Sequence, residues 1–550
     1  MGLYSKWYHP FDYDTKYKKR VAYFSMEFAI DQSLKIYSGG LGFLAGSHMR
    51  SAYELKQNLI GIGILWRYGY YDQTRNMDQS LGVAWTEKNY SFLEDTGIVV
   101  DIPIFANGNV KARAYALKAD TFGSAPIYLL STDIPENDYL SRTITHKLYD
   151  DNVLTRVAQS MVLGVGGAKV IEALGGTDVY HLNEGHGLPA FTYLYPKFKD
   201  KKALREKCVF TTHTPEKAGN EEHSLDLLQN IGFFPKEWTE EQINWLTDGS
   251  GSVSYTVAAL RLAKKANAVS KIHALVSKEM WGIFPETCEI IPITNAQNES
   301  YWADRELASA LKSNNDKALI ARKKEMKKEL FEIVADQAGK IFDPNVLTIV
   351  WARRFAAYKR PDLLLKEFDR FRKLMSNSKY PVQIIWAGKP YPKDHGAIGT
   401  FNYLVRVSRE FSNCAVLTGY ELALSRSLKN GSDIWLNTPR KPREASGTSG
   451  MTASMNGSVN FSIQDGWIPE FAKHGFNSYL IPDGSDLENH TLLDQEDFES
   501  MYRILEEEIF PTYYDTPEKW LEIVKNSMKD VAPEFTSHRM ADEYYKKLYS

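Results

Sequence analysis

The chain has 550 residues, 43% apolar and 25% charged, with 66 Lys and Arg against 69 Asp and Glu for a formal net charge of −3. A length of this size suggests two large domains or three ordinary ones, at roughly 100–200 residues each, and buries most of its apolar surface without covalent staples. The near-balanced charge excludes the global basic field that holds nucleic acid, no run of about 18 apolar residues is present to cross a membrane, and three scattered cysteines (Cys208, Cys288, Cys414) without a CxxC pair exclude a disulfide framework and a cysteine zinc site, pointing to a reducing compartment, the cytoplasm.

The N-terminal MGLYSKWYHP has no apolar h-region, so no signal peptide is expected, and Met1-Gly2 is discounted as a myristoylation start. Strand-like runs then alternate with helical stretches, the pattern of parallel α/β construction. RVAYFSMEF, NLIGIGILW, TDVYHLNEG, KCVFTTHTP and EIIPITNAQ read as buried strands, each ending in a polar segment, while Val83 to Asn137 reads as extra β structure and loops. The second half is more regular. NVLTIVWARR, YPVQIIWAGKP, CAVLTGY, SDIWLNTP, NGSVNFSI and NSYLIPDG are predicted strands, and Pro361 marks a helix start before DLLLKEFDRFRKLM. Two amphipathic helices, within DFESMYRILEEEIF and PEKWLEIVKNSM, end the chain. These elements predict two doubly wound α/β domains facing a central cleft, residues 1–297 and 298–521, with the last helix, about 522–550, packing back on the first. In open α/β sheets ligands bind beyond the carboxyl ends of the strands, which is where both halves place their unusual residues.

Four constellations stand there. Ser38-Gly39-Gly40-Leu41-Gly42 precedes an apolar helix, and its glycines let backbone N–H groups approach an anion at a helix start; alone, such a turn is more often structural. Arg353-Arg354-Phe355-Ala356-Ala357-Tyr358-Lys359-Arg360 puts four cations just past a strand end, where they can clamp phosphate oxygens; a solvated basic turn is the plainer alternative. Glu444-Ala445-Ser446-Gly447-Thr448-Ser449-Gly450-Met451 combines a carboxylate for sugar hydroxyls with small residues that let a ligand lie close to the backbone. His181-Leu182-Asn183-Glu184-Gly185-His186, with Thr211-Thr212-His213-Thr214-Pro215, supplies histidines and a carboxylate for hydroxyl binding or proton transfer. Zinc is a rival for His181, Glu184, His186 and His213, but neither HExxH nor a cysteine partner accompanies them, so no metal is expected. The 32 Tyr, 26 Phe and 12 Trp suit the packing of sugar CH faces, though core packing accounts for most aromatic residues in any protein.

Together SGGLGFLAG, HLNEGHG, TTHTP, ITNAQ, RRFAAYKR, IIWAGKPYPKD and EASGTSGMTASMNG, in this order from about Arg20 to Phe461, resemble the α-glucan (glycogen, starch, maltodextrin) phosphorylase family in its compact form. The resemblance implies a GT-B fold of two Rossmann-like domains and a retaining glucosyl transfer between an α-1,4-glucan and phosphate. It implies that Gly39 and Gly40 donate N–H bonds near the phosphates, that His213 faces the glucosyl ring, and that Asn295 and Glu444 hold sugar hydroxyls with Ser446 and Gly447 close by. Arg354 and Lys359 are implied to grip the substrate phosphate, Arg353, Thr448 and Ser449 to line the neighbouring anion site, and Glu184 and His186 to shape the cleft. The relatives' assembly implies a homodimer, although no sequence feature specifies an interface.

One departure is chemical. Family members hold pyridoxal phosphate as a lysine Schiff base directly after the methionine of this last motif, and here that position is Thr452, with no lysine between Lys441 and Lys473. A threonine cannot form an imine. Three readings stay open: phosphorolysis with the cofactor bound non-covalently, a nucleotide-sugar-dependent synthase whose donor diphosphate uses the vacated site, and a catalytically weak glucan-binding regulator. The segment NAQNESYW is a second departure, since many relatives have glycine after the asparagine.

Overall fold

The computed structural model describes residues 9, 11–104, 108–216 and 219–550, so the MGLYSKWYHP reading falls, apart from His9, outside the described residues. Contacts divide the chain into two units, one formed by Met1–Tyr71, Trp85–Asn295 and Ser537–Ser550, the other by Asp72–Ala84 and Ala296–Thr536.

In the first unit, short runs such as VAYF and LIGIGI are buried at every position, which is what a strand covered on both faces requires. Nine strands form one sheet in the spatial order Glu289–Pro292, Lys265–Ala268, β3 (Cys208–Thr211), β2 (Val179–Asn183), β1 (Val21–Phe24), Leu59–Ile64, Ile127–Ser131, Asn109–Leu117 and Glu94–Pro103. The first seven are parallel. Val21 lies in register with both Leu59 and Val179, so the strand order reverses between β1 and β2. The Val83–Asn137 segment, read as extra β structure and loops, extends this sheet with the parallel strand Ile127–Ser131 and two antiparallel strands. One parallel strand escaped the sequence reading, Lys265–Ala268, because its KANA has almost no apolar signal although Ala266, Asn267 and Ala268 are buried.

The second unit carries a six-stranded, wholly parallel sheet, ordered Cys414–Leu417, Val382–Ala387, β4 (Leu347–Ala352), Ile434–Asn437, Val459–Ile463, Ser478–Ile481. Numbered along the chain this is 3-2-1-4-5-6, the Rossmann order, with its reversal between β4 and Ile434–Asn437. Successive residues of β4 enter different core layers. Leu347, Ile349 and Trp351 pack with Phe401 and Phe498, while Val350 and Ala352 pack with Leu330 and Leu428. The helix expected at Pro361 begins only at Phe368, after a 3-10 turn at Leu363–Leu365.

Two placements differ from the sequence expectation. The hairpin Asp72–Ala84 belongs to the second unit, where Gln73 Nε2 donates to the Gly388 carbonyl at 2.9 Å and Gln73 Oε1 accepts from Gly419 N–H at 3.0 Å. Of the segment about 522–550, only Ser537–Ser550 joins the first unit. Helix Pro517–Glu534 stays with the second, because Ile523, Val524 and Met528 complete that unit's core. The returning segment is fixed by polar contacts to the first sheet: the Tyr549 hydroxyl lies 2.8 Å from His181 Nδ1, whose other nitrogen meets Thr211 Oγ1 at 2.7 Å. His181 is thereby a core residue. No helix among the described residues is long and apolar enough to cross a membrane.

Candidate active site

In each unit several of the sequence-predicted site residues lie past the carboxyl ends of the strands beside the reversal of strand order, while Asn295 follows the edge strand Glu289–Pro292 of the first sheet.

In the first unit, β1 runs into Ser25-Met26-Glu27. Glu27 is buried, and Tyr149 donates its hydroxyl to Glu27 Oε1 at 2.6 Å. The same carboxylate takes the N–H groups of Ser38 (2.6 Å) and Gly39 (3.1 Å) and the Ser38 hydroxyl (2.9 Å). The glycine turn then opens helix α1 (Gly40–Glu54). Gly39, expected to donate to a phosphate, therefore donates to the chain's own carboxylate, since a helix start attracts the nearest anion and Glu27 is already there. A Cβ added at Gly39 or Gly40 would meet nothing within 4 Å, so the turn faces open space. Glu27 was missed because a single Glu after a strand carries no pattern.

β2 leads to Glu184, a non-glycine residue at φ 76°. Its Oε2 accepts from His213 N–H (2.9 Å) and the Thr214 hydroxyl (3.1 Å), and its Oε1 from Gly185 N–H (3.1 Å). These bonds join the loops after β2 and β3 and hold the unusual backbone. Burial pushes the Glu184 carboxyl above its ordinary range, even against the bonds that favour its ionised form. His213 is half-buried; its Nε2 donates to Asn183 Oδ1 at 2.6 Å, and Asn183 Nδ2 donates to Ser25 Oγ at 3.1 Å, so the polar chain spans the reversal between β1 and β2. Burial lowers His213 to about 3 and His186 to about 4, which keeps both rings neutral near pH 7. The His186 ring lies 5.7 Å from Tyr149, and its buried Nδ1 has no hydrogen-bond partner among the described residues. Asn295, 4% exposed, gives its N–H to the Val269 carbonyl at 3.0 Å and leaves its buried Oδ1 without a donor among the described residues. Among the described residues no group of three or more His, Cys, Asp or Glu is arranged to hold a metal ion.

The second unit concentrates charge. Past β4, Arg353 Nη1 and Lys359 Nζ both donate to Glu444 Oε2, at 3.1 and 2.7 Å, and all three side chains are about one-tenth exposed or less. Burial works to raise the Glu444 pKa, but Lys359, Arg353 and the exposed Arg354 outweigh it and hold the carboxyl below its usual range. Two cations on one oxygen leave a net positive site. Arg360, fourth in the basic run, points elsewhere. Its guanidinium meets Asp494 (2.8 Å), Asp497 (2.6 Å) and the Thr438 and Pro439 carbonyls (2.9 and 3.1 Å), anchoring the turn from below.

The loop after Glu444 is shaped by a turn that the sequence did not mark. Asp465 takes Glu444 N–H on Oδ2 and Gly466 N–H on Oδ1, both at 2.8 Å, and Trp467 N–H donates to the Ser446 carbonyl at 3.0 Å. Gly466 sits at φ 62°, where a Cβ would stand 2.3 Å from the Ser446 oxygen, so no side chain fits. Gly447 sits at φ 86°, a conformation that favours glycine, where a Cβ would lie 3.3 Å from Glu444 Cγ and in ordinary contact, 3.5 Å, with Arg353 Nη2. Ser446 Oγ and Arg353 Nε are buried without partners among the described residues, one hydroxyl and one N–H donor suited to an oxyanion. Thr448 stands at the N-terminal boundary of helix α3 (Ser449–Met455) with no side-chain capping bond, and Ser449 Oγ accepts from Trp435 Nε1 at 3.3 Å. Thr452, wholly buried on α3, donates its hydroxyl to the Ser449 carbonyl at 3.0 Å. It offers no amine, so the residues at this position do not fit a lysine-bound aldehyde.

Asp465 provides a pH handle. Burial, with the Glu444 charge added, raises its carboxyl from 3.8 to about 7. The folded unit then holds a proton here that the unfolded chain has released, so stability falls as pH climbs from about 4 to about 7, by up to about 1.4 kcal/mol per pH unit from this group. Asp465→Asn is expected to remove that slope, read by urea unfolding at several pH values across this window.

Residues 293–474 match the carbohydrate phosphorylase family. The chain is 48% identical over 96% of its length to the whole of an uncharacterized protein of Methanocaldococcus jannaschii. It is 33% identical to the maltodextrin phosphorylase of Thermococcus litoralis, covering 97% of this chain and 71% of that protein, and 31% identical to the glycogen phosphorylase of Aquifex aeolicus, covering 98% and 87%.

Proposed function

Because the chain belongs to the α-glucan phosphorylase family, we propose that it is a retaining glucosyltransferase that moves glucosyl units between the non-reducing end of an α-1,4-glucan and phosphate, with glucose 1-phosphate as the small partner. The observation that supports this most is the buried Glu444 oxygen shared by Lys359 and Arg353 beside the strand reversal of the second unit. A glycosidase has little use for such a cation cluster, whereas a leaving or attacking phosphate needs one.

In this proposal the two units face each other across a GT-B cleft. As the C1–O bond breaks, the anomeric carbon becomes oxocarbenium-like, and Arg354 and Lys359 stabilise the charge that gathers on phosphate. Glu444 is fixed in its ionised form by the same cations and accepts from sugar hydroxyls, with Ser446 and Gly447 beside it. Asn295 presents its buried Oδ1 to another hydroxyl. His213, neutral and held by Asn183 and Glu184, presents a dipole rather than a positive charge to the glucosyl ring, which suits a cationic transition state. Gly40 lines the anion side, while Glu184 and His186 shape the wall.

Pyridoxal phosphate supplies a phosphate for proton transfer where this family carries it. Here Arg353, Thr448 and Ser449 are the residues that would hold that phosphate, without covalent attachment. Thr452 favours a second reading for the same pocket: a nucleotide-sugar donor whose diphosphate meets these residues, in a glucan synthase. A glucan-binding regulator without turnover is the third. We place the protein in the cytoplasm, as a homodimer.

A paired assay on glycogen or maltodextrin separates the readings. With orthophosphate the proposed phosphorylase releases glucose 1-phosphate; with nucleotide-glucose a synthase extends the chain instead. Absence of turnover in both arms, with retention on a glycogen resin, leaves only the regulator.

A further inference from the structure

Beside Thr452 lies a lysine that the sequence motifs do not single out. Helix α2 (Leu422–Gly431), which precedes α3 in the chain, carries Lys429, 1% exposed, with its Nζ 3.8 Å from the centre of the Trp302 ring. Trp302 is itself 2% exposed. Asn456 Nδ2 donates to the Trp302 carbonyl at 2.9 Å and to the Thr452 carbonyl at 2.8 Å, which ties the Trp302 main chain to the turn of α3 that bears Thr452. Lys323 Nζ donates to the Asn430 and Asn456 carbonyls, at 2.7 and 2.8 Å, and so fastens the end of α2 to the end of α3. The last turn of α2, Trp302 and α3 are one locked cluster.

We propose that Lys429 takes the Trp302 face that a planar aldehyde cofactor anchored on α3 would need, so that this chain forms no imine with pyridoxal phosphate at either position. An imine forms when an unprotonated amine attacks the aldehyde carbon and the carbonyl oxygen leaves as water. The Thr452 hydroxyl has no second hydrogen to lose and cannot complete that step. Lys429 has the amine, and burial, with Arg426 nearby, holds it well below the usual lysine range. Its nitrogen, however, sits over the apolar face on which the aldehyde ring would stack. An amine against an indole face is a favourable resident, by cation–π attraction when charged and by packing when neutral. Thr452 and Lys429 thus act together: one removes the anchor and the other fills the neighbouring ring face. The inference concerns only the cofactor and stands whichever glucosyl donor the protein uses.

The test is imine trapping rather than turnover. Wild-type protein, Thr452→Lys, Lys429→Val and the double variant are incubated with pyridoxal phosphate, reduced with borohydride and mapped by mass spectrometry at positions 429 and 452. Circular dichroism checks that each is folded. Label is expected at position 452 in the double variant at least about tenfold above either single variant, and at neither position in the wild type. Labelling of Lys429 in the wild-type protein overturns the proposal, and that arm holds even if a variant fails to fold. Equal labelling of position 452 in Thr452→Lys alone, or a folded double variant that takes no label, overturns it as well.

Discussion

Arg354→Ala is expected to lower glucosyl transfer by about 10²–10³-fold, the cost of losing one preorganised donor to developing charge, about 2.7–4 kcal/mol, while the unfolding midpoint stays within a few degrees. The two effects separate because Arg354 is the exposed member of the basic run. It stands near enough to Glu444 to lower its pKa, whereas Arg353 and Lys359 are buried and bonded directly to that carboxylate. The sequence motif alone treats Arg354 and Lys359 alike. In the structure they differ: Lys359→Ala strips a cation from a buried carboxylate and carries a stability cost as well. Near-normal turnover in Arg354→Ala would remove it from the proposed role.

The second large effect belongs to Glu444→Ala. It leaves the guanidinium of Arg353 and the ammonium of Lys359 buried without their shared carboxylate, and breaking a buried ion pair from one side costs about 3–5 kcal/mol. In a unit of this size that corresponds to a fall in unfolding midpoint of roughly 10 °C. Transfer is lost with it. Adding Lys359→Met is expected to recover part of the stability and none of the activity, because it removes one stranded charge while deleting a phosphate ligand. A double-mutant cycle on the unfolding free energy reads the coupling directly. An additive result would mean that the two side chains do not share their charge in solution.

These expectations show where sequence and structure divide the work. The strands VAYF, LIGIGI, LTIVWA and VQIIWA were legible because a strand buried on both faces is apolar almost throughout, and apolar runs this short between turn residues have the length of a strand rather than of a helix. KANA was not, since small residues suffice where neighbouring strands do the covering. The cation run and the EASGTSGM loop were legible as chemistry, but along the chain the four cations look alike. Only the fold turns Arg360 inward to Asp494 and Asp497 while Arg353 and Lys359 converge on Glu444. Likewise Gly39 advertised a free N–H that Glu27, twelve residues earlier, already occupies.

By itself the sequence determined the local elements, the order of the motifs and the one substitution that forbids an imine at Thr452, because each depends on residues close together in the chain. The tertiary structure alone decided which strand lies beside which, and so where the reversals fall; it also decided that Asp465 holds the Glu444 loop and that Lys429 lies over Trp302. Those pairings join residues 21 and 127 positions apart, whose proximity follows from long-range strand pairing and helix packing rather than from any local pattern.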